Sequence, residues 1–115
     1  MGDVDPFLLA EAHAVHRTWR QGLDPARVLE GFEFLCGMAP DLAEPWSGAG
    51  EVLLAMGEPG AALARHAEAV RLAPGEPAVR LGRGAALVAA GRPRAAVVEL
   101  RLAVALDPIR PRGWG

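Results

Sequence analysis

Three histidines, one cysteine and a group of arginines are the side chains of this chain whose types could do chemistry. His13 and His16 lie three residues apart, which on a helix puts two imidazoles on one face with Glu11 beside them. A bound metal needs three or four fixed ligands, and no third ligand stands at a useful spacing. The expected arrangement is His16 at a small-residue packing position and His13 on an open face. His66 sits among alanines and is expected to be a packed core histidine, not a general base. Cys36 lies beside Phe32, Phe34 and Leu35 on an apolar stretch, the setting of an inert buried thiol. As the single cysteine it excludes an internal disulfide. No Gly-rich phosphate loop, nucleophile elbow or carboxylate pair with a neighbouring base is present. Neither a catalytic residue nor a metal or other cofactor is therefore expected, and the chain reads as a non-enzyme. Arg92, Arg94, Arg101, Arg110 and Arg112 could meet phosphates, but they lack interleaved aromatics for stacking bases, so nucleic acid is disfavoured as a partner.

The elements that hold these residues follow from a period. Pro6, Pro40, Pro74 and Pro108 recur every 34 residues, the mark of a stacked-repeat architecture. The clearest copy reads Trp46, Ala49, Gly50 and Leu53, then Ala62, His66 and Ala69, closing on Pro74. The next copy carries Arg80, Arg83, Gly84 and Leu87, then Ala96, Leu100 and Ala103. The first copy diverges most, with Ala12, Val15, His16 and Trp19, then Val28, Phe32 and Leu35. Gly50 and Gly84, facing Ala62 and Ala96, let paired helices approach closely while Trp46, Leu53 and Leu87 fill the space around them. Prolines after Asp5, Asp24, Glu58 and Arg92 mark helix starts, and Gly22, Gly57 and Gly91 mark ends. The expected helices run near 6–21, 25–38, 43–56, 59–72, 77–90 and 93–106, and the short linkers force neighbours to be antiparallel. Trp114 falls in register with Trp46, so a fourth helix begins as a stub over 108–115.

This large-small-small-large, then small-large-small pattern with a closing proline resembles the tetratricopeptide repeat. The resemblance implies an all-α, right-handed solenoid of three helix-turn-helix repeats, at approximately 6–39, 40–73 and 74–107, forming a single domain over 6–107. It also implies that the first helix of each pair lines a concave groove. Carried over position by position, that groove holds His13, Arg17 and Arg20, then Glu44, Ser47, Glu51 and Leu54, then Ala78, Leu81, Ala85 and Val88. It would run from basic through mixed to apolar and suit an extended or short helical peptide of a protein partner. The clamp by which some members hold acidic chaperone C-termini is absent, since those positions carry His13, Arg17, Gly48, Ala78 and Gly82. A narrower resemblance lies in Phe32-Glu33-Phe34-Leu35-Cys36 with Trp46 and Gly48-Ala49-Gly50. This is similar to chaperones that hold translocator subunits of bacterial type III secretion systems. It does not extend to that family's long N-terminal dimerisation helix, or to its third repeat, which here is rich in Leu and Arg.

The competing reading is a structural scaffold that self-associates or docks through its helical ends. Leu100, Leu102, Val104 and Leu106 make the last helix more apolar than a solvated cap, so a homodimer through that helix is expected. Charge is also uneven: residues 1–58 hold ten acids against three arginines, and residues 59–115 hold nine arginines against four acids. The overall charge of −2 argues against a polyionic partner. No apolar run is long enough to span a bilayer, and Pro6 breaks the myristoylation pattern that Met1-Gly2 suggests. A cytoplasmic protein is the expectation. The absence of Lys, Asn and Tyr beside abundant Ala, Gly, Arg and Pro fits a GC-rich bacterial genome.

Overall fold

The computed structural model describes residues 5–107. Over that span the chain forms six helices: α1 (Pro6–Arg20), α2 (Pro25–Met38), α3 (Ala43–Ala55), α4 (Pro59–Leu72), α5 (Pro77–Ala89) and α6 (Pro93–Leu106). No strand occurs among the described residues, and the fold is an all-α solenoid. The stub expected over 108–115, with Trp114, lies outside the described residues.

Local signals set the boundaries. Proline opens α1, α2, α4, α5 and α6, where its missing N–H costs nothing and its fixed φ suits the first turn. Asp5 caps α1, its Oδ1 accepting from the Phe7 N–H at 2.9 Å. Asp24, before α2, makes no such side-chain bond. The odd-numbered helices each end one residue before the expected position. Gly22, Gly57 and Gly91 take φ of 90°, 81° and 77°, a left-handed conformation open to glycine. That turn lets the N–H of Leu23, Glu58 and Arg92 reach back to the carbonyls of Thr18, Leu53 and Leu87 at 3.1, 2.9 and 2.8 Å.

Within a pair the helices lie very close. A Cβ on Gly50 would stand 2.7 Å from the His66 ring, and one on Gly84 would stand 2.8 Å from Leu100. Ala49, Ala62, Ala69 and Ala86 are fully buried along these seams. Three apolar clusters follow one another: Val28, Phe32, Ala49 and Val52, then Leu53, Ala62 and Ala86, then Ala69, Val70 and Val79. Between pairs, α3 packs on both α1 and α5, whereas the backbones of α2, α4 and α6 stay apart and α2 meets α4 through the Arg65–Glu33 ion pair. The odd-numbered helices are thus drawn together and the even-numbered ones splay apart, which makes the odd-numbered side concave.

Candidate functional site

The concave side holds a cavity of about 550 Å³. Its walls come from one face each of α1, α3 and α5, and from the two loops that join successive pairs. The floor depends on two glycines one repeat apart. A Cβ on Gly48 would stand 2.4 Å from the Phe32 ring, and one on Gly82 would stand 2.7 Å from the His66 ring. Rings from α2 and α4 can therefore reach between the odd-numbered helices, and both line the cavity from below.

Of the groove residues expected from the sequence, His13, Glu44, Ser47, Glu51, Leu54, Ala78 and Ala85 line this cavity. Arg17, Arg20, Leu81 and Val88 do not. Helical geometry accounts for the difference on α5, because at 100° per residue Leu81 and Val88 fall well round from the line of Ala78 and Ala85. They stand exposed on the shoulder instead, at 50% and 56%. The arginines of α1 are also exposed. The cavity consequently contains no guanidinium, and its charged lining is Asp41, Glu44, Glu51 and Glu76 with His13 and His16 at one end. The basic end read from the sequence is replaced by a carboxylate rim around an apolar bed of Leu42, Leu54, Leu72, Val79 and the alanines.

Several lining residues were not anticipated. Asp41, Leu42, Ala73 and Glu76 belong to the inter-pair loops, and Leu72 ends α4. The available signal was their place beside the periodic prolines. His16 was expected to pack as a small residue, yet it lines the cavity and its Nε2 lies 3.1 Å from Glu51 Oε1. The Trp19 Nε1–H donates to the other Glu51 oxygen at 3.0 Å. Glu51 is thereby held across the gap between α1 and α3.

His66 is fully buried, as a packed core histidine should be, and neither ring nitrogen has a hydrogen-bond partner. Burial pushes its pKa down to about 4, against a smaller opposing pull from Glu51, so the ring is neutral near pH 7. Cys36 is buried, and its surroundings push the thiol up to about 12, chiefly by desolvation and secondarily through Glu33. It is protonated and unreactive at neutral pH. Among the described residues no group of three His, Cys, Asp or Glu is placed to hold a metal ion, and no helix is long and apolar enough to cross a membrane.

Solved structures repeat this architecture. The Yersinia enterocolitica type III secretion translocator chaperone SycD matches 94% of the chain and 81% of its own length, with a TM-score of 0.81 at 20% identity. SycD in complex with a peptide of the translocator YopD matches 94% of the chain and 82% of its own, with a TM-score of 0.80 at 19% identity. A mutant O-GlcNAc transferase of Thermobaculum terrenum matches 94% of the chain but only 21% of its own length, with a TM-score of 0.83 at 28% identity. At these identities the likeness to the chaperone is one of fold. The match to the transferase, covering a fifth of that enzyme, carries no catalysis across. No curated protein sequence matches the chain. A family model for the tetratricopeptide repeat matches residues 53–115, more than half of the sequence, and the chain belongs to the tetratricopeptide-repeat family.

Proposed function

We propose that this chain is a protein-interaction module that holds a segment of a partner protein in its concave groove, in the manner of a bacterial secretion chaperone. The observation that carries this reading is the cavity itself, an apolar bed built by three equivalent helix faces and rimmed by four carboxylates. Such a surface suits a peptide that places apolar side chains on the bed and lysine or arginine at the rim. The solved complex of SycD with a translocator peptide supports the reading through a shared fold and a peptide ligand. A type III translocator as the client, and a cytoplasmic setting, are the finer form of the same proposal. Binding alone is proposed.

The test is fluorescence anisotropy with a set of labelled peptides of about 15 residues that share apolar anchors and differ in carrying lysine or glutamate between them. Lysine-bearing peptides should bind at least about tenfold more tightly, and Ala78→Glu with Ala85→Glu should abolish binding by filling the bed. Both alanines are exposed, so the fold should survive, as circular dichroism would show. Equal binding by wild type and variant would remove the groove as the site.

A further inference from the structure

Helices α4 and α6 occupy equivalent places one period apart and differ in what covers them. On α4, the His66 ring fills the space above Gly82 and Val70 packs with Val79, both on α5, while Leu63 packs on the cluster that holds Ala86. The residues 34 positions on are Val97, Leu100 and Val104. With Arg101 they line a shallow, almost wholly apolar depression of about 300 Å³. Val97 is 45% exposed and Val104 64%. Beside them α5 leaves Leu81 and Val88 exposed, at the register of Ser47 and of Leu54, which packs with the second cluster. Among the described residues α6 therefore presents the surface that an odd-numbered helix covers elsewhere in the molecule.

Helix α1 shows the converse. Gly48 and Gly82 are small because a ring from the preceding even-numbered helix occupies the space where a Cβ would stand. The residue in that register on α1 is Ala14, small and half-buried, and no described helix precedes it. Ala14 lies on a stripe with Phe7, Glu11 and Thr18, the spacing of one helical face. Phe7 is 65% exposed, and the Thr18 hydroxyl already donates to the Val15 carbonyl at 2.6 Å. One end of the molecule thus has a large residue, Leu100, without its small counterpart. The other end has the small residue without its large one.

We infer that α1 of a second copy of this chain docks on the α5–α6 end, with Ala14 over Leu100, continuing the solenoid head to tail. The register then sets Thr18 against Val97, and Glu11 against Val104 and Arg101. Charge favours this occupant at one point, because Glu11 on the α1 stripe comes to Arg101 beside Val104. The contact joins two different surfaces, so a dimer keeps one of each free and assembly proceeds past it.

Sedimentation of the full 115-residue chain over roughly 10 µM to 1 mM tests this. The weight-average mass of the wild type should climb past two chains without a plateau. Val104→Glu disables the tail and Ala14→Glu disables the head, and each should weaken association at least about tenfold. Mixed in equal amounts, the two variants should form a heterodimer that stops at two chains, because only one productive interface remains. Val104 is exposed and tolerates the change; if Ala14→Glu loses helicity, Glu11→Arg disables the same face from an exposed position. A wild type that stays monomeric throughout overturns the inference. So does a closed dimer that Val104→Glu abolishes and the head variants leave intact, since that result means two α6 faces pairing symmetrically.

Discussion

Between α3 and α4, the place nearest the closing proline is filled by Trp46, which packs on Ala69, Val70 and Val79 while its Nε1–H donates to the Pro40 carbonyl at 3.0 Å. Between α5 and α6 the same place holds Arg80, whose Nε–H donates to the Pro74 carbonyl at 3.1 Å. A second nitrogen of Arg80 reaches Glu99 Oε1 at 3.2 Å, and Arg83 reaches Glu99 Oε2 at 3.0 Å. What the repeat requires here is an N–H to satisfy the carbonyl freed when the previous helix ends, together with enough bulk to fill the seam. An indole meets that requirement with apolar area. A guanidinium meets it only when a carboxylate is buried beside it, so the third pair depends on charges that the second pair does without.

The largest test of this contrast is Glu99→Ala. Glu99 is only 7% exposed, and its removal leaves Arg80 without a carboxylate in the seam, whereas Arg83, more than a third exposed, can turn to water, so the cost is about 3 kcal/mol in urea or thermal unfolding. At the equivalent position on α4, Arg65 pairs with Glu33 at 2.8 Å, with about a third of each side chain exposed. Arg65→Ala should cost no more than about 1 kcal/mol. Rebuilding the third pair in the manner of the second, as Arg80→Trp with Arg83→Ala and Glu99→Leu, should recover most of the Glu99→Ala loss. Equal small losses at Glu99 and Arg65 would erase the distinction between the two pairs.

The third pair also shows where the sequence stops being readable. Helix ends were legible to within a residue because proline at a first turn and glycine at a left-handed cap act locally. Gly50 and Gly84 as close-approach points were legible because the period aligns them. The Arg80–Glu99–Arg83 cluster was not, since nothing local says that residues 16 and 19 positions apart will meet in a seam. The groove was half legible for a related reason. A repeat position names a side of the helix, but three residues, a net turn of about 60°, separate Ala85 on the bed from Val88 on the shoulder. The loop carboxylates Asp41 and Glu76, which make the rim acidic, belong to no helical pattern.

His66 stands where Phe32 does one repeat earlier. Both rings press on a glycine of the following helix, but the phenyl has no polar atoms to satisfy and the imidazole has two without partners. Its pKa is about 4 in the folded chain against 6.5 as its ordinary value. Between those limits the unfolded chain takes up a proton that the folded chain refuses. Stability therefore falls as pH drops from 6.5 to 4, and this residue accounts for a loss of about 3 kcal/mol at the acid end. The informative quantity is the difference between wild type and His66→Phe. The variant should be more stable by roughly 1–2 kcal/mol at pH 7, and the gap should widen on acidification. Parallel stability curves would mean that the ring finds a partner for its proton after all.

The smallest expected effect isolates the donor from the bulk. Trp46→Phe keeps most of the ring packing on Ala69, Val70 and Val79 but removes the N–H that meets the Pro40 carbonyl. The carbonyl lies near the surface and can turn to water, so the loss should be near 1 kcal/mol, not the larger penalty of an enclosed orphan. Arg80→Met makes the matching change one repeat on, and there the guanidinium's loss also leaves Glu99 with one partner where it had two. A much greater cost at Arg80 than at Trp46 would show that the charged seam, and not the shared bond to the proline carbonyl, holds the third pair closed. Similar costs would place the common element in that bond, with Arg83 alone sufficient to keep Glu99 buried.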